Sequence, residues 1–125
     1  MSGQEKPRDI QERTFSFALE IIKFSQQVDF RNEALRVLGR QVLRSGTSIG
    51  ANIEEAQAGQ SRADFISKYA IALKETRETI YWLRLLHEAG PLTINNCELL
   101  IQEADEIARI IAAIILAAKS RHGHR

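Results

Sequence analysis

Cysteine, proline and aromatic residues are all scarce in this sequence, and each scarcity removes a class of protein. The single Cys97 cannot build an internal disulfide framework and suits a reducing compartment. The two prolines, Pro7 and Pro91, leave long stretches of chain free of helix breakers. No apolar run is long: the longest, Ile110 to Ala118, falls far short of the roughly 20 residues that span a bilayer. The start, MSGQEKPRDIQ, is polar and mixed in charge, unlike a secretory signal. Neither sign of charge dominates. Lys and Arg number 17 against 16 Asp and Glu, so any attraction to nucleic acid must come from a local patch. The expectation is a cytoplasmic protein without a membrane anchor.

Catalytic groupings are missing too. The histidines are His87, His122 and His124, none preceded by Glu at the spacing a di-iron bundle uses. Cys97 has no partner at zinc spacing, and the tail histidines are a poor basis for a metal site. The stretch from Gly46 to Gly50 lacks the Lys and preceding strand of a phosphate loop. Ser45 and Ser48 have no histidine base placed by sequence. No enzyme activity, cofactor or metal is expected.

What the chain does carry is helical periodicity from end to end. A first segment runs from about Asp9 to Val28, with Phe15, Ala18, Leu19, Ile22 and Ser25 recurring at three and four. A second runs from about Asn32 to Ala58 on Leu35, Leu38, Val42, Ile49 and Ile53. Gly59 ends it, and Ser61 with Asp64 resembles a capping box for a third, from Arg62 to Gly90 before Pro91. The fourth starts after Thr93 or Asn95 and runs to about Ser120. Short links make sequential helices antiparallel, so the expected architecture is all-α: a single up-down four-helix bundle over residues 1–125. Residues 1–8 and 119–125 are read as a flexible leader and tail.

Two helices have more apolar surface than one core needs. The third carries one stripe of Phe65, Tyr69, Ala72, Leu73, Thr76, Ile80 and Leu83, and a second of Ile71, Trp82, Leu85 and Ala89. On the fourth, Leu100, Ala104, Ile107, Ile111 and Ile115 face one way while Leu99, Ile110 and Ala117 face another. A helix apolar on two faces is buried on two faces. Ile71, Trp82, Leu85, Leu99 and Ile110 are therefore the expected contacts of a homo-oligomer; a monomer with a wide core is the alternative.

The segment from Arg44 to Glu55 is the least ordinary. Gly46 and Gly50 each cost a helix interior about 1 kcal/mol against alanine. Being four apart, they share a face and permit close approach by another helix; the alternative is a break or kink. Arg44, Ser45, Ser48, Asn52 and Glu78 form a candidate polar network that fixes packing register, through an Asn–Glu or Arg44–Glu contact. Arg36, Arg40 and Arg44, at i, i+4 and i+8, form a basic stripe within a segment (31–44) of four Arg and one Glu. It is the candidate contact for weak, sequence-independent binding of RNA or DNA. The other reading is a solvated face paired with acids on a neighbouring helix.

The run from Arg44 to Leu86 resembles the four-helix-bundle family encoded by intervening sequences in bacterial 23S rRNA genes. The resemblance rests on Arg44-Ser45, Thr47-Ser48-Ile49, Asn52-Ile53-Glu54-Glu55, Asp64-Phe65, Glu78 and Trp82-Leu83. Ala56 stands where many members have Gly. The resemblance implies an up-down bundle, often a ring-shaped homopentamer. It also implies similarity to the accessory protein of diversity-generating retroelements, a basic pentamer that binds nucleic acid and a reverse transcriptase. It supplies no enzyme activity. The function expected is a structural or interaction module, with a nucleic-acid-binding accessory protein as the alternative.

Overall fold

A computed structural model describes residues 9–59 and 61–123, which form four α-helices: α1 (Ile10–Ser25), α2 (Glu33–Gln57), α3 (Arg62–Ala89) and α4 (Cys97–Gly123). Three start on the residues that their sequence marks. Asp9 accepts from the Gln11 amide, Asn32 from Leu35 and Ser61 from Asp64, each satisfying a donor that the first turn leaves without a partner. α3 stops at Gly90, where an added Cβ would lie 2.5 Å from the Leu86 carbonyl oxygen. α4 starts later than Thr93 or Asn95 suggests. Asn96 has φ of 74°, a left-handed conformation that no helix can continue through, so the helix opens at Cys97. It then runs past Ser120 to Gly123; residues 1–8, Gln60, His124 and Arg125 lie outside the described residues.

The helices pack as a square. α2 lies against α1 and α3, α4 lies against α3 and α1, and the diagonal pairs stay apart. The centre is filled by rows at three and four: Val42, Ile49 and Ile53 from α2; Tyr69, Ala72, Leu83 and Leu86 from α3; and Leu100, Ala104, Ile107 and Ile111 from α4. Full burial of such a side chain contributes about 1.5–3 kcal/mol. These rows are the ones that the periodicity of α2, α3 and α4 marks, with Leu35, Leu38, Phe65, Leu73, Ile80 and Ile115 packed around them.

α1 turns the other way. Its buried row is Thr14, Phe17, Ile21 and Phe24, while Phe15, Leu19 and Ile22 of the expected row are 62%, 48% and 42% exposed. Both rows are apolar, so hydrophobicity cannot choose between them. The choice is made by α2, whose glycines receive one row only. An added Cβ would come within 3.0 Å of Val28 at Gly39, 2.8 Å of Ile21 at Gly46 and 3.3 Å of the Thr14 hydroxyl at Gly50. Thr14, Ile21 and Val28 are spaced by seven, and they seat along this glycine seam.

Candidate functional site

α2 runs unbroken through Gly46 and Gly50, so the small residues serve close packing and not a kink. Its hydroxyl and amide groups turn back onto their own helix. Ser45, Thr47 and Ser48 donate to the carbonyls of Gln41, Leu43 and Arg44 at 2.8, 2.8 and 2.7 Å, and Asn52 Nδ2 donates to Ser48 at 2.9 Å. Such bonds satisfy the polar groups without needing a ligand. The Asn52–Glu78 contact is therefore not formed. Glu78 instead accepts from Arg44 Nη2 at 2.5 Å, and Glu75 accepts from Arg44 Nη1 at 3.2 Å. The bond to Glu78 raises the already high pKa of that guanidinium.

One member of the network is absent from the sequence reading. Thr79 donates to Ser45 Oγ at 2.8 Å, and both side chains are fully buried between α2 and α3. Its position at the edge of the α3 core row, beside Glu75 and Glu78, was the available signal. Threonine passes for an apolar residue there because its methyl packs as one.

The Arg36–Arg40–Arg44 stripe lies along one side of α2, but acids claim two of its three members. Arg36 pairs with Glu33 one turn earlier, and Arg44 bridges to α3. Arg40 is exposed and has no acidic partner among the described residues.

The expected oligomer contacts are dispersed. Trp82 and Leu85 are half-buried, as is Ile110. Trp82 packs against the core, because the edge of α3 that carries Glu75, Glu78 and Thr79 faces α2. Its indole Nε1 is buried without an acceptor, and its ring meets Tyr81 edge-on at 5.1 Å. Ile71 is 38% exposed and Leu99 64%. Leu99 lines a groove of about 520 Å³ between α1 and α4, together with Ser16, Glu20, Lys23, Gln27 and Glu103. At one end Arg13 binds Glu103 at 2.8 Å and also Glu106. At the other, Gln27 clamps the Asn95 backbone, receiving its N–H at 2.8 Å and donating to its carbonyl at 3.2 Å. Among the described residues no group of three His, Cys, Asp or Glu could hold a metal, and no helix is long and apolar enough to cross a membrane.

Comparison with known proteins gives this arrangement a family. The profile of the 23S rRNA-intervening sequence protein family matches residues 6–113, which takes in all of α1 to α3 and most of α4. The chain belongs to the 23S rRNA-intervening sequence protein family. A similar solved structure is that of a protein of unknown function from the S23 ribosomal protein family of Bacteroides thetaiotaomicron VPI-5482. It is 42% identical with a TM-score of 0.76, over 86% of this chain and 98% of that one. No curated protein matches. The glycine seam and the Ser45–Thr79 contact are thus features of a 23S rRNA-intervening sequence protein, and they serve its packing.

Proposed function

We propose that the protein is a non-catalytic assembly module whose copies associate through apolar helix faces. The observation that carries this reading is the row Phe15, Leu19 and Ile22 on the outer side of α1. All three are more than two-fifths exposed, and they stand one turn apart. A water-facing apolar row of this kind marks a contact surface. A closed ring needs a second, different patch on each copy, since head-to-tail contacts close it. Ile71 and Leu99 are the members of the expected set that stay exposed enough to contribute. A pentameric ring is the form the family resemblance implies.

Light scattering on a size-exclusion column tests the proposal. The wild type is expected to elute as a multimer and Phe15→Ser with Leu19→Glu as a folded monomer. A wild type that is monomeric at micromolar concentration overturns it. Nucleic-acid binding along Arg36, Arg40 and Arg44 is the weaker reading, because Glu33, Glu75 and Glu78 already neutralise the outer two.

A further inference from the structure

Every helix of the bundle has solvent-facing charges, but on α3 they are of a different kind. Lys74, Arg77, Tyr81 and Arg84 recur at three, four and three, which places them on one side of the helix. All four are exposed, Tyr81 to 52%. None of the three cations has an acidic partner within 4.0 Å among the described residues. Acids are close by, yet engaged elsewhere. Glu75 and Glu78, next to Lys74 and Arg77 in sequence, are turned to Arg44. Only Glu88, at the far end of the row, shares this face. Among the described residues, α3 therefore carries an uncompensated basic strip, about 15 Å long by helical rise.

We infer that this strip on α3 binds single-stranded nucleic acid, with Lys74, Arg77 and Arg84 on phosphates and a base stacked on Tyr81. An exposed phenol between cations is the arrangement that single strands use: charge tracks the backbone and an aromatic ring receives a base. A duplex keeps its bases stacked on one another and leaves the ring idle. An acidic protein segment would use the cations equally but brings no base to lay on the Tyr81 ring, which stands between Arg77 and Arg84 with Trp82 edge-on at 5.1 Å. The strip does not depend on assembly through α1. α1 and α3 are diagonal in the square, so a contact on the outer row of α1 lies away from the strip, and of the residues named for the second patch only Ile71 is on α3.

Binding is measured by anisotropy of a labelled oligothymidylate of about eight nucleotides, a length suited to one strip. Three phosphate contacts predict a slope of about −2 in log K against log salt, so affinity falls about 15- to 20-fold between 50 and 200 mM. Trp82, the single tryptophan, touches Tyr81 and supplies an intrinsic signal: its fluorescence changes on binding. Lys74→Ala with Arg77→Ala and Arg84→Ala weakens binding at least about tenfold. Tyr81→Ala weakens it about fivefold or more and Tyr81→Phe keeps it. Arg36→Ala with Arg40→Ala stays within about twofold of wild type, having lost no strip contact. All these positions are at the surface, and circular dichroism with light scattering verifies that each variant folds and assembles as the wild type does. No binding at 50 mM salt overturns the inference. So do a stronger grip on duplex of equal length, equal binding of a poly-glutamate peptide, or loss in the Arg36/Arg40 variant but not in the triple one.

Discussion

Gly46 shows how one missing methyl group decides which side of a helix is inside. Alanine there would gain about 1 kcal/mol of helix propensity. Its Cβ would also stand 2.8 Å from Ile21, a fully buried side chain with no room to yield. Overpacking of this sort costs about 1–3 kcal/mol, so the clash wins. Gly46→Ala is expected to lower stability by up to about 2 kcal/mol in urea titrations. Ile21→Ala removes the opposing atoms, so the double variant should lose less than the two single losses summed. Strict additivity would mean that Gly46 does not seat α1. Cys97 makes a second point at this scale. Burial, and next the charge of Glu98, push its thiol pKa up, and it is 3% exposed. The folded state thus holds the proton more tightly than the unfolded chain does. The associated stability is complete below the unfolded pKa, about 8.5, and is lost as pH rises above it. Urea midpoints are expected to fall between pH 7.5 and 9.5, and to fall less in Cys97→Ala. A native thiol that reacts with a disulfide reagent as fast as the unfolded chain would contradict the burial.

Between elements, the α2–α3 seam is held by two polar contacts of different worth. Ser45–Thr79 is buried and neutral, and a bond of this kind contributes about 1 kcal/mol. Arg44 lies at the rim, its side chain 48% exposed, so its bridges to Glu75 and Glu78 are screened and worth no more than about 1 kcal/mol. Arg44→Met is therefore expected to change stability by less than about 1 kcal/mol, with most of the loss gone at high salt. A larger, salt-independent loss would show that the guanidinium acts through packing. These seams mark how far the sequence could be read. Rows on α2, α3 and α4 were legible because the core row is the longest apolar stripe on each, and the glycines because a helix tolerates them only for a reason. The inner side of α1 was not. Phe15, Leu19 and Ile22 match Phe17, Ile21 and Phe24 in hydrophobicity, and only the shape of α2 separates them. Spacing showed the basic stripe of α2, but its acids on α3 are far away in sequence. The same engagement of Glu75 and Glu78 left Lys74 and Arg77 uncompensated, which no single-helix pattern contains.

At the scale of the whole molecule, the bundle is uneven. α1 has 16 residues, about 24 Å, beside α3 with 28, about 42 Å. The groove opens on its α4 side, and the polar ties there are the Arg13 bridges and the Gln27 clamp. A short helix with one apolar row in water should be the least stable unit of the fold. Hydrogen exchange in dilute protein is expected to be fastest in α1, apart from the helix ends, and slowest across the buried stretch of α2 from Val42 to Ile53. Glu103→Gln, which weakens the Arg13 bridge, should speed exchange in α1 and leave α2 unchanged. If the outer row of α1 is the contact between copies, raising the protein concentration must slow exchange in α1, because assembly stabilises only the folded form that it binds. Exchange in α1 that is independent of concentration, in a protein that light scattering shows to be multimeric, would move the contact to another face. The groove beside Leu99 would then be the surface to substitute next, since its lining joins a 64% exposed leucine to α1.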